Sequence, residues 1–325
     1  MNNKALRPFG MRDKIGYLCG DLANDFTFIF ASGFLLKFYT DVLGVEAYWG
    51  GILFLVARCI DAFTDVGMGR IVDTLEPAKD GRFRPWIRRM AIPILIINTL
   101  MYLHPAAQLP MTGRIVYMFV TYILWGSVCY TAVNIPYGSM ASVISEDPGE
   151  RTSLSTFRSV GAMIAGGSIG IITPLILFEK VDGRSVLLPE RFTMLAFIYG
   201  VLAMVAYFVC YKLCTERVQL PSKKAEKGQG FFTLVKALVH NRALLAIIGA
   251  AISILLCQLL GTAMLSYVFQ DYFNNADLMI FGGIATALPT LILAPFSRKL
   301  SDRFGKKSAA SWAAVWLPCS SVFCS

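Results

Sequence analysis

Apolar runs of about twenty residues recur along this chain, separated by short polar connections, and that is the length a helix needs to cross the hydrocarbon core of a bilayer. The pattern predicts membrane-spanning helices near residues 15–40, 46–72, 86–104, 112–140, 156–179, 191–213, 243–270 and 277–297, with a ninth beginning near 308. The longest polar stretch, Cys214 to Arg242, contains Lys223, Lys224, Lys227, Gly228 and Gly230 and reads as a flexible linker. The expected fold class is therefore all-α and polytopic. Residues 1–214 form a six-helix N-terminal bundle, 215–242 a cytoplasmic linker, and 243–325 a partial C-terminal bundle of helices 7 and 8 with a fragment of 9.

Composition agrees with this reading. Hydrophobic residues make up 56% of the 325 residues and charged residues 16%, and the mean hydropathy is +0.58. A soluble domain of this size needs more surface charge. The net charge of +9 could suggest nucleic acid, but the basic residues gather in alternate connections. Lys4, Arg7, Arg12 and Lys14 precede the first span, and Arg70, Lys79, Arg82, Arg84, Arg88 and Arg89 follow the second. A further group runs from Lys212 to Arg242 and another from Arg298 to Lys307, with basic-poor connections between. That is the positive-inside pattern, which places the N-terminus and the even-numbered connections in the cytoplasm. No nucleic-acid partner is implied.

The eight cysteines form no CxxC pair, and His104 and His240 sit at predicted helix ends. There is no HExxH or GxxxxGK[ST] motif and no nucleophile–base set, so an enzyme is not expected, and no cofactor is implied. The first apolar span is too long for a signal peptide and lacks a small-residue cleavage site.

Two connections resemble each other. Gly69-Arg70-Ile71-Val72-Asp73 and Gly81-Arg82-Phe83-Arg84-Pro85-Trp86 follow the second span, and Ser297-Arg298-Lys299-Leu300-Ser301-Asp302-Arg303-Phe304-Gly305-Lys306-Lys307 follows the eighth. Such an echo fits the internal repeats of transporters.

Ionisable residues at membrane depth carry the functional signal, because each costs roughly 2.5–3.5 kcal/mol at a helix centre on the insertion scale. The second span holds Arg58, Asp61 and Asp65 on one helix face, and the first holds Asp21 and Asp25, four apart. The fourth carries Tyr130, Thr131, Asn134 and Gly138, and Arg158 opens the fifth. Arg58 and Asp61 suit a supporting ion pair. The Asp61/Asp65 pair offers hard oxygen ligands to Na⁺, or one shared proton, and Na⁺ there is the one metal expected. Asp25 and Asn134 suit the hydroxyls of a polyol, and nearby aromatics suit the apolar faces of a sugar ring.

The run Leu53-Phe54-Leu55-Val56-Ala57-Arg58-Cys59-Ile60-Asp61-Ala62-Phe63-Thr64-Asp65, followed by Gly81-Arg82-Phe83-Arg84-Pro85-Trp86, resembles the signature of the glycoside–pentoside–hexuronide:cation symporter family of the major facilitator superfamily. Phe38-Tyr39-Thr40-Asp41, Asn134-Ile135-Pro136-Tyr137 and Glu150-Arg151-Thr152-Ser153-Leu154 add to the likeness, which covers roughly residues 10–307. It implies a sugar or glycoside:cation symporter of the bacterial inner membrane, coupled to Na⁺ or H⁺. By residue it implies a cation site at Asp61, Asp65 and Thr131, and a sugar site at Asp25, Tyr130, Asn134 and Arg158. Asn134 and Gly138 depart from the melibiose permease pattern toward the glucuronide and pentoside branch. Two other readings stay open: a carrier of a non-sugar solute or lipid on the same fold, and a non-transporting sensor or assembly partner. The family has twelve helices, one of them bearing a lysine beside the cation-site aspartates. This chain is accordingly expected to be a frameshifted, interrupted or partial product, truncated at its C-terminal end.

Overall fold

A computed structural model describes residues 7–78, 80–181 and 184–218, and beyond residue 244 only positions 245, 249, 253, 256, 257, 260, 261, 263–273 and 278. Two compact units, 1–222 and 223–325, divide the chain. The first carries the helices α1 (Met11–Lys37), α2 (Ala47–Thr74), α3 (Arg84–Met101), α4 (Met111–Ile123), α5 (Thr131–Ile144), α6 (Pro148–Leu177) and α7 (Pro189–Leu213). A π-helical stretch, Leu124–Tyr130, joins α4 to α5, so that Met111–Ile144 is one continuous rod of 34 residues. Another π turn, Phe38–Val42, extends α1. In the second unit the described residues include a π turn at Val268–Tyr272.

Each of the first six predicted spans falls on one of these rods. The largest displacement is at α6, which starts at Pro148 rather than near 156. Asp147 caps it by accepting from the Glu150 amide at 2.8 Å, and Pro148 preorganises the first turn. Its first two turns are polar, and apolar patterning does not register them. Apolar patterning predicts no strand, yet β1 (Phe178–Val181) and β2 (Arg184–Leu187) pair antiparallel between α6 and α7. Asp182-Gly183, a dipeptide favoured in two-residue hairpins, separates them in sequence. The eighth and ninth predicted spans lie outside the described residues apart from Leu278, as does the linker beyond residue 218.

Among the described residues, four rods are long and apolar enough to cross a membrane: Arg84–Gln108, Met111–Ile144, Pro148–Leu177 and Pro189–Leu213. At 27 and 28 residues α1 and α2 are also long enough, so composition sets them apart. They carry Asp21, Asp25, Arg58, Asp61 and Asp65. Large apolar side chains such as Leu55, Phe63, Ile96, Val116, Leu175, Phe197 and Val205 point outward, as lipid contact requires.

The core forms where α1 packs against α6 and α7, and α3 against α7. Phe30, Phe38, Tyr102 and Phe192 interlock there, with ring centroids 4.7–6.1 Å apart. The approach of α6 to α1 depends on Gly161, where a Cβ would stand 2.6 Å from the Leu18 carbonyl oxygen. Two buried polar side chains bond to neighbouring backbones: Asn98 Nδ2 donates to the Ala196 carbonyl at 2.8 Å, and the Tyr137 hydroxyl to the Tyr17 carbonyl at 2.6 Å.

The basic-rich end of the bundle is closed by residues just past α7. Fully buried Asp13 pairs with Arg7 at 2.9 Å and Arg217 at 2.8 Å. The Glu216 carboxylate accepts from the amides of Arg82, Phe83 and Arg84 at 2.7, 2.9 and 2.8 Å. Those amides open α3, where a carboxylate also meets the positive end of the helix dipole.

Candidate functional site

Two polar clusters sit within the apolar rods. In the first, α2 lies against α5 and the π-helical stretch. Asp61 and Asp65 share one face of α2, and each meets a hydroxyl. Thr131 Oγ1 donates to Asp65 Oδ1 at 2.8 Å, and Ser127 Oγ makes a short bond to Asp61 Oδ1. Both pairs are 66 residues apart in sequence, because the two helices run in the same direction and keep register over a turn. Arg58 Nη1 stands 3.3 Å from Asp61 Oδ2, and its Nη2 donates to the Tyr122 hydroxyl at 3.3 Å. The Arg58 side chain is 59% exposed and that of Asp61 16%, so Arg58 is a partner at the rim rather than a buried counter-ion.

In the second cluster, α1 faces α6. Arg158 Nε lies 2.8 Å from Asp21 Oδ1, and the guanidinium stacks over the Tyr137 ring with its carbon 5.6 Å from the centroid. Its two terminal nitrogens have no hydrogen-bond partner among the described residues. Asp25 lies one turn beyond Asp21, half-buried, with no hydrogen bond or ion pair among the described residues. Asn134 is likewise half-buried and unbonded. The Tyr130 ring stacks on Phe28 at 5.6 Å and meets Trp125 at 5.5 Å. Next to Asp25, Asn24 accepts from the Tyr207 hydroxyl at 2.7 Å.

The structure thus brings Asp61, Asp65, Thr131 and Arg58 into one constellation, while Arg158 is paired with Asp21 and not with Asp25. Spacing along the sequence marks Asp21 without assigning it a role and does not single out Ser127 or Tyr122. The signal for Ser127 was available, since it precedes Thr131 by four residues, the interval separating Asp61 from Asp65. Among the described residues, no group of three or more His, Cys, Asp or Glu side chains is placed to hold a metal ion. A cation here would rely on two carboxylates helped by hydroxyls.

The model of the MFS/sugar transport protein family matches residues 16–324. The chain belongs to this family. It is 30% identical to the uncharacterized symporter YjmB of Bacillus subtilis (strain 168) over 307 residues, which cover 94% of this chain and 64% of that protein. It is 29% identical to the glucuronide carrier protein homolog of Escherichia coli (strain K12) over 298 residues, covering 91% and 63%. With the inner membrane symporter YicJ of the same organism it shares 36% identity over 211 residues, covering 65% and 44%. The chain spans a little under two thirds of the length of the first two of these relatives. It is an integral, multi-pass protein of a family of membrane transporters rather than enzymes.

Proposed function

We propose that this protein serves cation-coupled transport of a sugar or glycoside, with Asp61, Asp65 and Thr131 holding the coupling ion, Na⁺ or H⁺. The observation that carries the reading is the matched pair of carboxylate–hydroxyl contacts between α2 and the α4–α5 rod. Charged groups at membrane depth persist where they do work. Oxygen donors of this kind suit a hard monovalent ion, and two carboxylates one turn apart also suit a shared proton. The sugar would lie against Asp25, Tyr130, Asn134 and Arg158, whose unbonded polar atoms and aromatic faces are what a polyol ring needs.

An acidic sugar fits this site better than a neutral one. Arg158 keeps two terminal nitrogens unengaged beside Asp21, and a planar guanidinium binds a carboxylate through two parallel bonds. One relative is named as a glucuronide carrier homolog and another as an inner membrane symporter. The basic residues at the α1 start and between α2 and α3 support a cytoplasmic N-terminus in a bacterial inner membrane. Asp61→Asn and Asp65→Asn test the coupling role. Both are expected to abolish the cation dependence of sugar binding by the protein in lipid nanodiscs, and sugar binding that keeps its Na⁺ or H⁺ dependence in both variants removes these residues from it.

A further inference from the structure

We infer that Ser127 is an oxygen donor of the cation site and sets its preference for Na⁺; this rests on the cation-site reading of Asp61 and Asp65. Residues Leu124–Tyr130 are π-helical within an otherwise α-helical rod. A π stretch widens the turn and re-aims the side chains on it, and such stretches concentrate at functional sites. Ser127 lies at its middle, 2% exposed, with its hydroxyl on Asp61. Thr131, the first residue after the stretch, is 6% exposed and takes Asp65. The Gly126 carbonyl accepts from Thr131 Oγ1 at 3.3 Å, so the threonine is oriented by the same stretch.

Four side-chain oxygen groups are thereby gathered from two helices: two carboxylates one turn apart on α2, and two hydroxyls opposite them. A serine hydroxyl has one proton to donate and two lone pairs. It can therefore keep its hydrogen bond to Asp61 while presenting a lone pair to an ion held between the aspartates. A carboxylate that takes up a proton needs no such donor, because the proton is satisfied by one oxygen. Removing the Ser127 hydroxyl should accordingly penalise a coordinated metal ion, which needs the lone pair, more than a proton, which does not. Arg58 does not substitute for it, since a guanidinium has donors only.

The test is equilibrium binding of radiolabelled Na⁺ to the purified chain in lipid nanodiscs, with Li⁺ and H⁺ as competitors. Ser127→Ala is expected to weaken Na⁺ binding about tenfold or more, the effect of losing one contact to a charged group. It should also shift the Na⁺/Li⁺ preference, and because the metal is held more weakly, protons should displace it at a higher pH. Ser127→Thr, which restores a hydroxyl, is expected to recover the affinity. It also guards against a folding defect, as does a thermal melt of each variant. A serine that only packs or braces α2 would move the melt and not the ion preference. Wild-type affinity and an unchanged Na⁺/Li⁺ preference in Ser127→Ala, with binding lost in Asp61→Asn and Asp65→Asn, overturn this inference and leave the cation site standing. No Na⁺ binding by the wild type overturns this inference and leaves H⁺ as the coupling ion, whereas Na⁺ binding that survives both aspartate substitutions overturns the two together.

Discussion

Arg158 reaches across the α1–α6 contact to Asp21, Nε to Oδ1 at 2.8 Å, and leaves Asp25 one helical turn away without an ion pair among the described residues. The two aspartates of α1 are therefore not equivalent. Asp21 is 4% exposed and neutralised. Asp25 is the carboxylate whose oxygens are unspent among the described residues.

This division predicts different outcomes for the two residues. Asp25→Ala should weaken sugar binding by about tenfold or more, the loss of a charged hydrogen-bonding group, while Na⁺ binding remains. Asp21→Asn should lower thermal stability, because it removes the charge partner of Arg158 inside the bundle. Parallel sugar titrations and melting curves in nanodiscs check both, and identical effects of the two substitutions would remove the distinction.

Asn134 stands on α5, one turn beyond Tyr130 and Thr131, with its amide unbonded. Asn134→Asp adds a negative charge to a site proposed to favour an acidic sugar. Binding of a glucuronide is expected to fall relative to binding of the matching neutral glycoside. A competition panel of paired acidic and neutral sugars reads this out, and an unchanged ranking would exclude Asn134 from substrate choice.

Glu216 and Gly81 form a separate, structural pair. Gly81 has a φ of +118°, which favours glycine, and a Cβ there would stand 2.5 Å from the Glu216 carboxyl carbon. Glu216→Ala leaves three amides at the start of α3 uncapped, and the expected loss is about 1–3 kcal/mol. Gly81→Ala should destabilise by a similar or larger amount. Neither substitution touches Asp61, Asp65 or Asp25, so ligand affinities measured well below the melting temperature should hold.

Topology is open to a direct check. The proposed arrangement places the N-terminus and Lys223–Lys227 on the same, cytoplasmic side, with six crossings between them. Single cysteines placed at residue 4 and at residue 224, in a background with the native cysteines replaced, should resist a membrane-impermeant thiol reagent in intact cells and react after permeabilisation. Labelling of either from outside would break the assignment.

The sequence by itself determined the helices of the first unit and the identity of the charged residues within them. Runs of twenty apolar residues have few solutions in a bilayer other than a helix, since backbone groups there must bond within the segment. Spacings of three and four put Arg58, Asp61 and Asp65 on one face, whatever they pack against. The partners of those charges depended on tertiary structure. Whether Arg158 meets Asp21 or Asp25 turns on the rotation of α6 against α1, which Gly161 permits through a close approach that no periodicity encodes. The meeting of Ser127 with Asp61 requires α2 and the α4–α5 rod to lie in parallel register, with a π-helical stretch aiming the hydroxyl. Glu216 is an ordinary charge in the sequence, and it becomes the cap of α3 because α7 ends beside the loop at Gly81. Local pattern is a property of neighbours along the chain. These contacts join residues 66 to 137 positions apart, and only packing of the whole bundle selects them.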